Sequence, residues 1–90
     1  MDDQIIDAAM ARGLQADAVR AHPLVGWVVM CDPPDYPGKV VARLVTATAS
    51  PYVLIGETLA GVQAALPPGL KRAGRTCAGL PDVVEIWFAE

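Results

Sequence analysis

The chain has one histidine and two cysteines among its 90 residues. A structural zinc site takes four Cys or His ligands, so His22, Cys31 and Cys77 fall short of a set, and the two cysteines lack the close spacing of paired ligands. Cys31 and His22 are the only residues from which a thiol nucleophile and an imidazole base could be drawn, and no third group stands by to orient the base. The simpler assignment is a strand cysteine and a loop histidine ahead of Pro23. No catalytic residue, metal or cofactor is expected.

Charge is also scarce: charged residues make up 19% of the chain, with a net charge of −3 and a pI near 4.9. Nucleic-acid binders normally present a basic face to phosphates, and this chain as a whole cannot supply one. No uncharged apolar run approaches the roughly 18 residues of a membrane span, and the opening Met1-Asp2-Asp3-Gln4 is acidic where a secretory leader starts basic. These features predict no membrane and a cytoplasmic protein, with Cys31 and Cys77 as reduced thiols.

Apolar residues are plentiful, at 53% with a mean hydropathy of +0.36. A chain of this length makes one domain, which buries roughly 60% of the surface of its unfolded form. With so few charges, some apolar surface stays exposed, and such patches mark association sites. The partner is a second copy, in a homo-oligomer, or another protein.

Along the chain, residues 2–12 read as a helix, with Asp2 and Asp3 at its positive end and Gly13 as its stop. A second short helix over 16–21 ends before His22-Pro23. Gly26–Cys31 is β-branched and aromatic, hence a strand. Asp32–Gly38 is dense in turn residues, and residues 39–48 and 52–55 read as two further strands. Thr58 caps a helix over about 59–66, with Leu59, Val62 and Leu66 on one face. Residues 69–82 read as loop and Val83–Phe88 as the last strand, parallel to the first through a crossover.

Strand alternation sorts the side chains by face. Glu85 marks its side of the last strand, with Trp87, as the outer one. Arg43 does the same for the second strand, together with Val41 and Val45. In the first strand Trp27, Val29 and Cys31 share a side opposite Val28 and Met30, and the sequence leaves open which faces out; if it is the Trp27 side, the outer face holds Trp27, Arg43, Glu85 and Trp87. This is a candidate interaction face, because Trp and Arg are enriched among binding hot spots; ordinary cross-strand packing is the simpler account of the same cluster.

Three further groups invite functional readings. Lys71, Arg72 and Arg75 place three of the seven basic residues in one segment, a candidate phosphate contact. Asp32, Asp35, Glu57 and Asp82 sit at element ends, where an Asp and a Glu could hold a divalent ion for phosphodiester hydrolysis, although acidic residues are ordinary there. Gly56-Glu57-Thr58-Leu59-Ala60-Gly61 opens a helix between glycines but lacks the Lys-Ser/Thr of a phosphate loop.

The chain from Gly26 to Phe88 resembles a group of small bacterial proteins of unknown function. The likeness is carried by the Trp27-Val28-Val29 strand, Asp35-Tyr36-Pro37-Gly38-Lys39, Val41-Ala42-Arg43-Leu44, Tyr52-Val53-Leu54, Thr58-Leu59, Leu66-Pro67-Pro68-Gly69-Leu70 and Val84-Glu85-Ile86-Trp87. It implies a shared fold and brings no activity. Gly56-Glu57-Thr58-Leu59 also looks like the turn that leads three strands into a helix in HicB-type antitoxins. No DNA-binding segment follows it here, so that likeness implies only a β-β-β-α arrangement.

The expected fold is α+β: a single mostly antiparallel four-stranded sheet with one main helix on one face, in the order α-α-β-β-β-α-β. It forms one domain over 1–90, with a helical segment over 1–22 and the core over 25–88. The first functional expectation is a small non-catalytic protein-interaction module. The second is a nucleic-acid-binding accessory protein acting through the 71–75 segment, and the third a metal-dependent enzyme using Asp32 and Glu57.

Overall fold

In the computed structural model, residues 3–47, 49–72 and 83–89 are described, with the backbone alone for Ala49, Val83 and Val84. The elements run β1 (Gln4–Ile5), α1 (Ala8–Ala21), β2 (Gly26–Cys31), β3 (Val40–Val45), β4 (Ala49–Gly56), α2 (Leu59–Ala65), β5 (Leu70–Arg72) and β6 (Val83–Ala89).

The N-terminal segment corrects the expected pair of helices. Asp7, not Asp2 or Asp3, caps the helix: its side chain accepts from the Met10 amide at 2.8 Å. Residues 4 and 5 before it form a strand. Gly13 does not stop the helix, because the apolar stripe Ala11, Leu14, Ala18 runs straight past it onto the core. The helix stops at His22, whose extended backbone, with ψ of 141°, is what a following proline imposes. A Cβ at Gly13 would meet nothing within 4 Å. Gly13→Ala is therefore expected to raise stability by about 1 kcal/mol, the helix-propensity difference, read as a higher midpoint in thermal unfolding.

The sheet corrects the expected four strands to six, in the order β1-β4-β3-β2-β6-β5, and it is mixed: β1 runs parallel to β4 and every other neighbouring pair is antiparallel. The last strand pairs with β2 antiparallel, not parallel. The physical reason is β5. It lies in a stretch rich in glycine and basic residues, where no apolar alternation marks a strand, yet it forms a hairpin ladder with β6. The crossover carrying α2 thus delivers the chain to β5, and β6 returns beside β2.

Both helices lie on one face. There Trp27, Val29, Ala42, Leu44 and Leu54 form the core with Ala11 of α1 and Val62 of α2. Thr58 caps α2 by accepting from the Gly61 amide at 3.0 Å. Gly56 ends β4 where helix and strand nearly touch, since a Cβ there would sit 2.8 Å from Val62 Cγ2. The Gly56–Gly61 segment is a packing turn from strand to helix. On the opposite face, Val41 and Val53 are fully buried. The radius of gyration, 12.0 Å, is that of a compact chain of this length.

Candidate functional site

The ladder decides which of the four expected interaction-face residues lie together. Trp87 sits opposite Trp27, and Glu85 opposite Val29, so these side chains share the helix-covered face. Arg43 sits opposite Val28 and Val53, on the other face. The four do not form one surface, and Trp27 and Glu85 are 0% and 6% exposed.

Glu85 belongs inside because donors meet it there. Gln63 Nε2 donates to both carboxylate oxygens at 2.9 Å, Trp87 Nε1 to Oε1 at 3.0 Å and Arg72 Nη1 to Oε2 at 3.2 Å. Burial pushes the Glu85 pKa up, but the bonds from Gln63, Trp87 and Arg72 together outweigh it and leave the pKa below its ordinary value. Nearby, Trp27 Nε1 donates to Gln15 Oε1 at 2.8 Å, and Gln15 Nε2 reaches the Pro68 carbonyl at 3.4 Å. These bonds tie α1, the sheet and the turn after α2 together.

Arg43 works as a clamp on the other face. Its Nη1 and Nη2 donate to Asp3 Oδ1 and Oδ2, each at 2.9 Å, and Nη1 also to the Ser50 carbonyl at 2.8 Å. Tyr36 Oη donates to Asp3 Oδ2 at 2.9 Å. The two-residue strand β1 is anchored by this bidentate pair. The bonds from Arg43 and then Tyr36 hold the Asp3 pKa below 3.8, while Asp3 pushes those of Arg43 and Tyr36 up.

Asp3→Asn is expected to cost about 1 kcal/mol at neutral pH, the upper range for a partly exposed pair. Because the folded pKa is depressed, this contribution is fully present above 3.8 and is lost as pH falls through the lower folded value. Urea unfolding of parent and variant at neutral pH and at about pH 2 checks the sign: the gap between them closes in acid.

The expected phosphate contact does not converge. Lys71 lies opposite Phe88 and Arg72 opposite Trp87, so adjacent side chains point to opposite faces, and Arg72 is engaged by Glu85. Arg75 lies outside the described residues, as do Cys77 and Asp82. Asp32 Oδ1 accepts from the Gly38 amide at 2.7 Å, within its own turn, and Glu57 pairs with Lys39. Among the described residues, no three of His, Cys, Asp and Glu gather where they could hold a metal ion. His22 caps α1 through its backbone, and Cys31, a free thiol, packs against the core.

A groove of about 330 Å³ lies between α1 and the turn after α2. Ala16, Val19, Pro67 and Pro68 give it apolar walls, with Gln15 beside them, and Arg12 and Arg20 flank it. Val19 is 45% exposed. Lys39, Arg43 and Arg72 each hold a carboxylate, whereas Arg12 and Arg20 make no hydrogen bond or ion pair with the described residues. The signal was available as spacing, since residues 12, 16, 19 and 20 form one helical stripe, but it is visible only if the helix runs unbroken through Gly13.

No helix among the described residues is long and apolar enough to cross a membrane. Compared with protein families, curated proteins and solved structures, the chain has no match.

Proposed function

We propose that this chain is a small non-catalytic protein-interaction module that binds its partner in the groove between α1 and Pro67–Pro68. The observation that carries the reading is an exposed apolar floor flanked by two arginines that nothing in the described fold neutralises. Binding sites combine apolar contact area with a few polar groups that fix orientation, and arginine is favoured at interfaces. The free Cys31 thiol suits a reducing compartment such as the cytoplasm.

The nucleic-acid reading is less well supported, because Lys71 and Arg72 diverge and an apolar groove floor gains nothing from a phosphate backbone. A metal-dependent reaction at Asp32 and Glu57 has its carboxylates committed to Gly38 and Lys39.

The test is a comparison of the parent chain with Val19→Glu as baits. Val19 is exposed, so the substitution changes stability by about 0.5 kcal/mol or less. A stoichiometric partner protein retained by the parent and lost by the variant, with the thermal midpoint unchanged, is the expected result. Equal retention by both baits would remove the groove from the reading.

A further inference from the structure

We infer that the groove recognises a short extended acidic segment of a partner protein, with the pattern acidic–x–apolar–x–acidic. The inference rests on the groove reading above and adds the chemistry of the ligand.

The pattern follows from spacing. Arg12 and Arg20 are eight residues apart on α1, which at 1.5 Å per residue separates them by about 12 Å along the axis. Ala16 and Val19 lie between them on the same stripe. An extended segment rises about 3.3 Å per residue, and its residues i, i+2 and i+4 point the same way. Carboxylates at i and i+4 therefore stand about 13 Å apart, one over each guanidinium, and the side chain at i+2 drops onto the apolar floor.

Charge complementarity selects an acidic segment. Lys39, Arg43 and Arg72 already hold carboxylates, and Asp17, the acid within α1, does not line the groove. The ligand thus replaces water around two arginines without breaking an internal pair. A second copy of the chain does offer the pattern, as Asp3-Gln4-Ile5-Ile6-Asp7 with Ile5 66% exposed. Its two ends are committed, however: Asp3 holds Arg43 and Tyr36, and Asp7 caps α1. The segment belongs to another chain.

The experiment titrates the full ¹⁵N-labelled chain with the heptapeptide Ser-Glu-Ser-Leu-Ser-Glu-Ser, with a control carrying Gln in place of both Glu, and with a Lys counterpart. The Glu peptide is expected to shift amides of Arg12–Arg20 and Gly69, and to weaken as salt is raised. The Gln control, Arg12→Glu and Arg20→Glu should each weaken binding by at least about tenfold, and the Lys peptide should bind the Arg12→Glu/Arg20→Glu double variant.

Equal binding of the Gln and Glu peptides with the same amides shifted would overturn the acidic pattern and leave the groove in place. Shifts confined to other surfaces would overturn the groove reading itself. Lack of any shift at millimolar Glu peptide, or peptide-independent dimerisation abolished by Val19→Glu, would overturn the inference in favour of a different occupant.

Discussion

Trp27→Ala is expected to destabilise the chain by about 3–5 kcal/mol, the range for deleting a buried aromatic ring. Trp27 is wholly inaccessible and central to the helix-covered face, opposite Leu44 on β3 and Trp87 on β6. Its removal opens a cavity where α1, the sheet and the turn after α2 meet, and frees Gln15 from the bond that joins the helix to the sheet. A domain of this size holds roughly 5–15 kcal/mol in total, so the loss is a large share. At about 4–8 °C per kcal/mol for a small domain, the thermal midpoint falls by 12 °C or more, by roughly that conversion.

Trp27→Phe separates the two contributions. It keeps most of the ring packing and removes only the Nε1 donor, for which a net cost of about 1 kcal/mol is expected. Equilibrium urea unfolding followed by far-UV circular dichroism measures both variants. A loss for Trp27→Ala below about 1 kcal/mol, the level of a surface change, would show that the ring is not a centre of the core.

Much of the sheet was legible because local chemistry and tertiary structure agree in it. Gly26–Cys31 is a strand as its β-branched run requires, and Thr58 caps its helix. Alternation places Arg43 with Val41 and Val45 on the face away from the helices, but that face is not simply an outer one, since Val41 is fully buried in it. The departures share one cause: a local sign is overridden by a partner distant in sequence. Gly13 looked like a helix stop, but the stripe packing against the core carries the helix through it. Glu85 looked like a marker of solvent, but its donors come from positions 63, 72 and 87, and only the folded topology assembles them. β5 has almost no pattern of its own and exists by pairing with β6. The groove was hidden for the same reason, because a helix divided at Gly13 separates Arg12 from Ala16 and Arg20.

Glu85→Ala is expected to cost about 2 kcal/mol, because it strands two half-buried donors rather than merely removing a charge. A buried donor left unsatisfied costs about 1–3 kcal/mol, the low end applying to half-buried side chains, and the substitution leaves both Gln63 Nε2 and Trp87 Nε1 without their acceptor. Arg72 matters less. Its side chain is 58% exposed while that of Glu85 is 8%, so water takes over its solvation, and coupling for so exposed a cation stays at about 1 kcal/mol or below. Double-mutant cycles should therefore show Gln63 coupled to Glu85 more strongly than Arg72 is.

The pH dependence gives an independent check through Glu85→Gln. The folded pKa of Glu85 is lowered, so its contribution is fully present above 4.5 and is lost as pH falls through the lower folded value. The gap between parent and Glu85→Gln is then widest near neutral pH and narrows in acid. A gap that grew on acidification would mean that burial outweighs the three donors, and that the carboxyl is held in its neutral form.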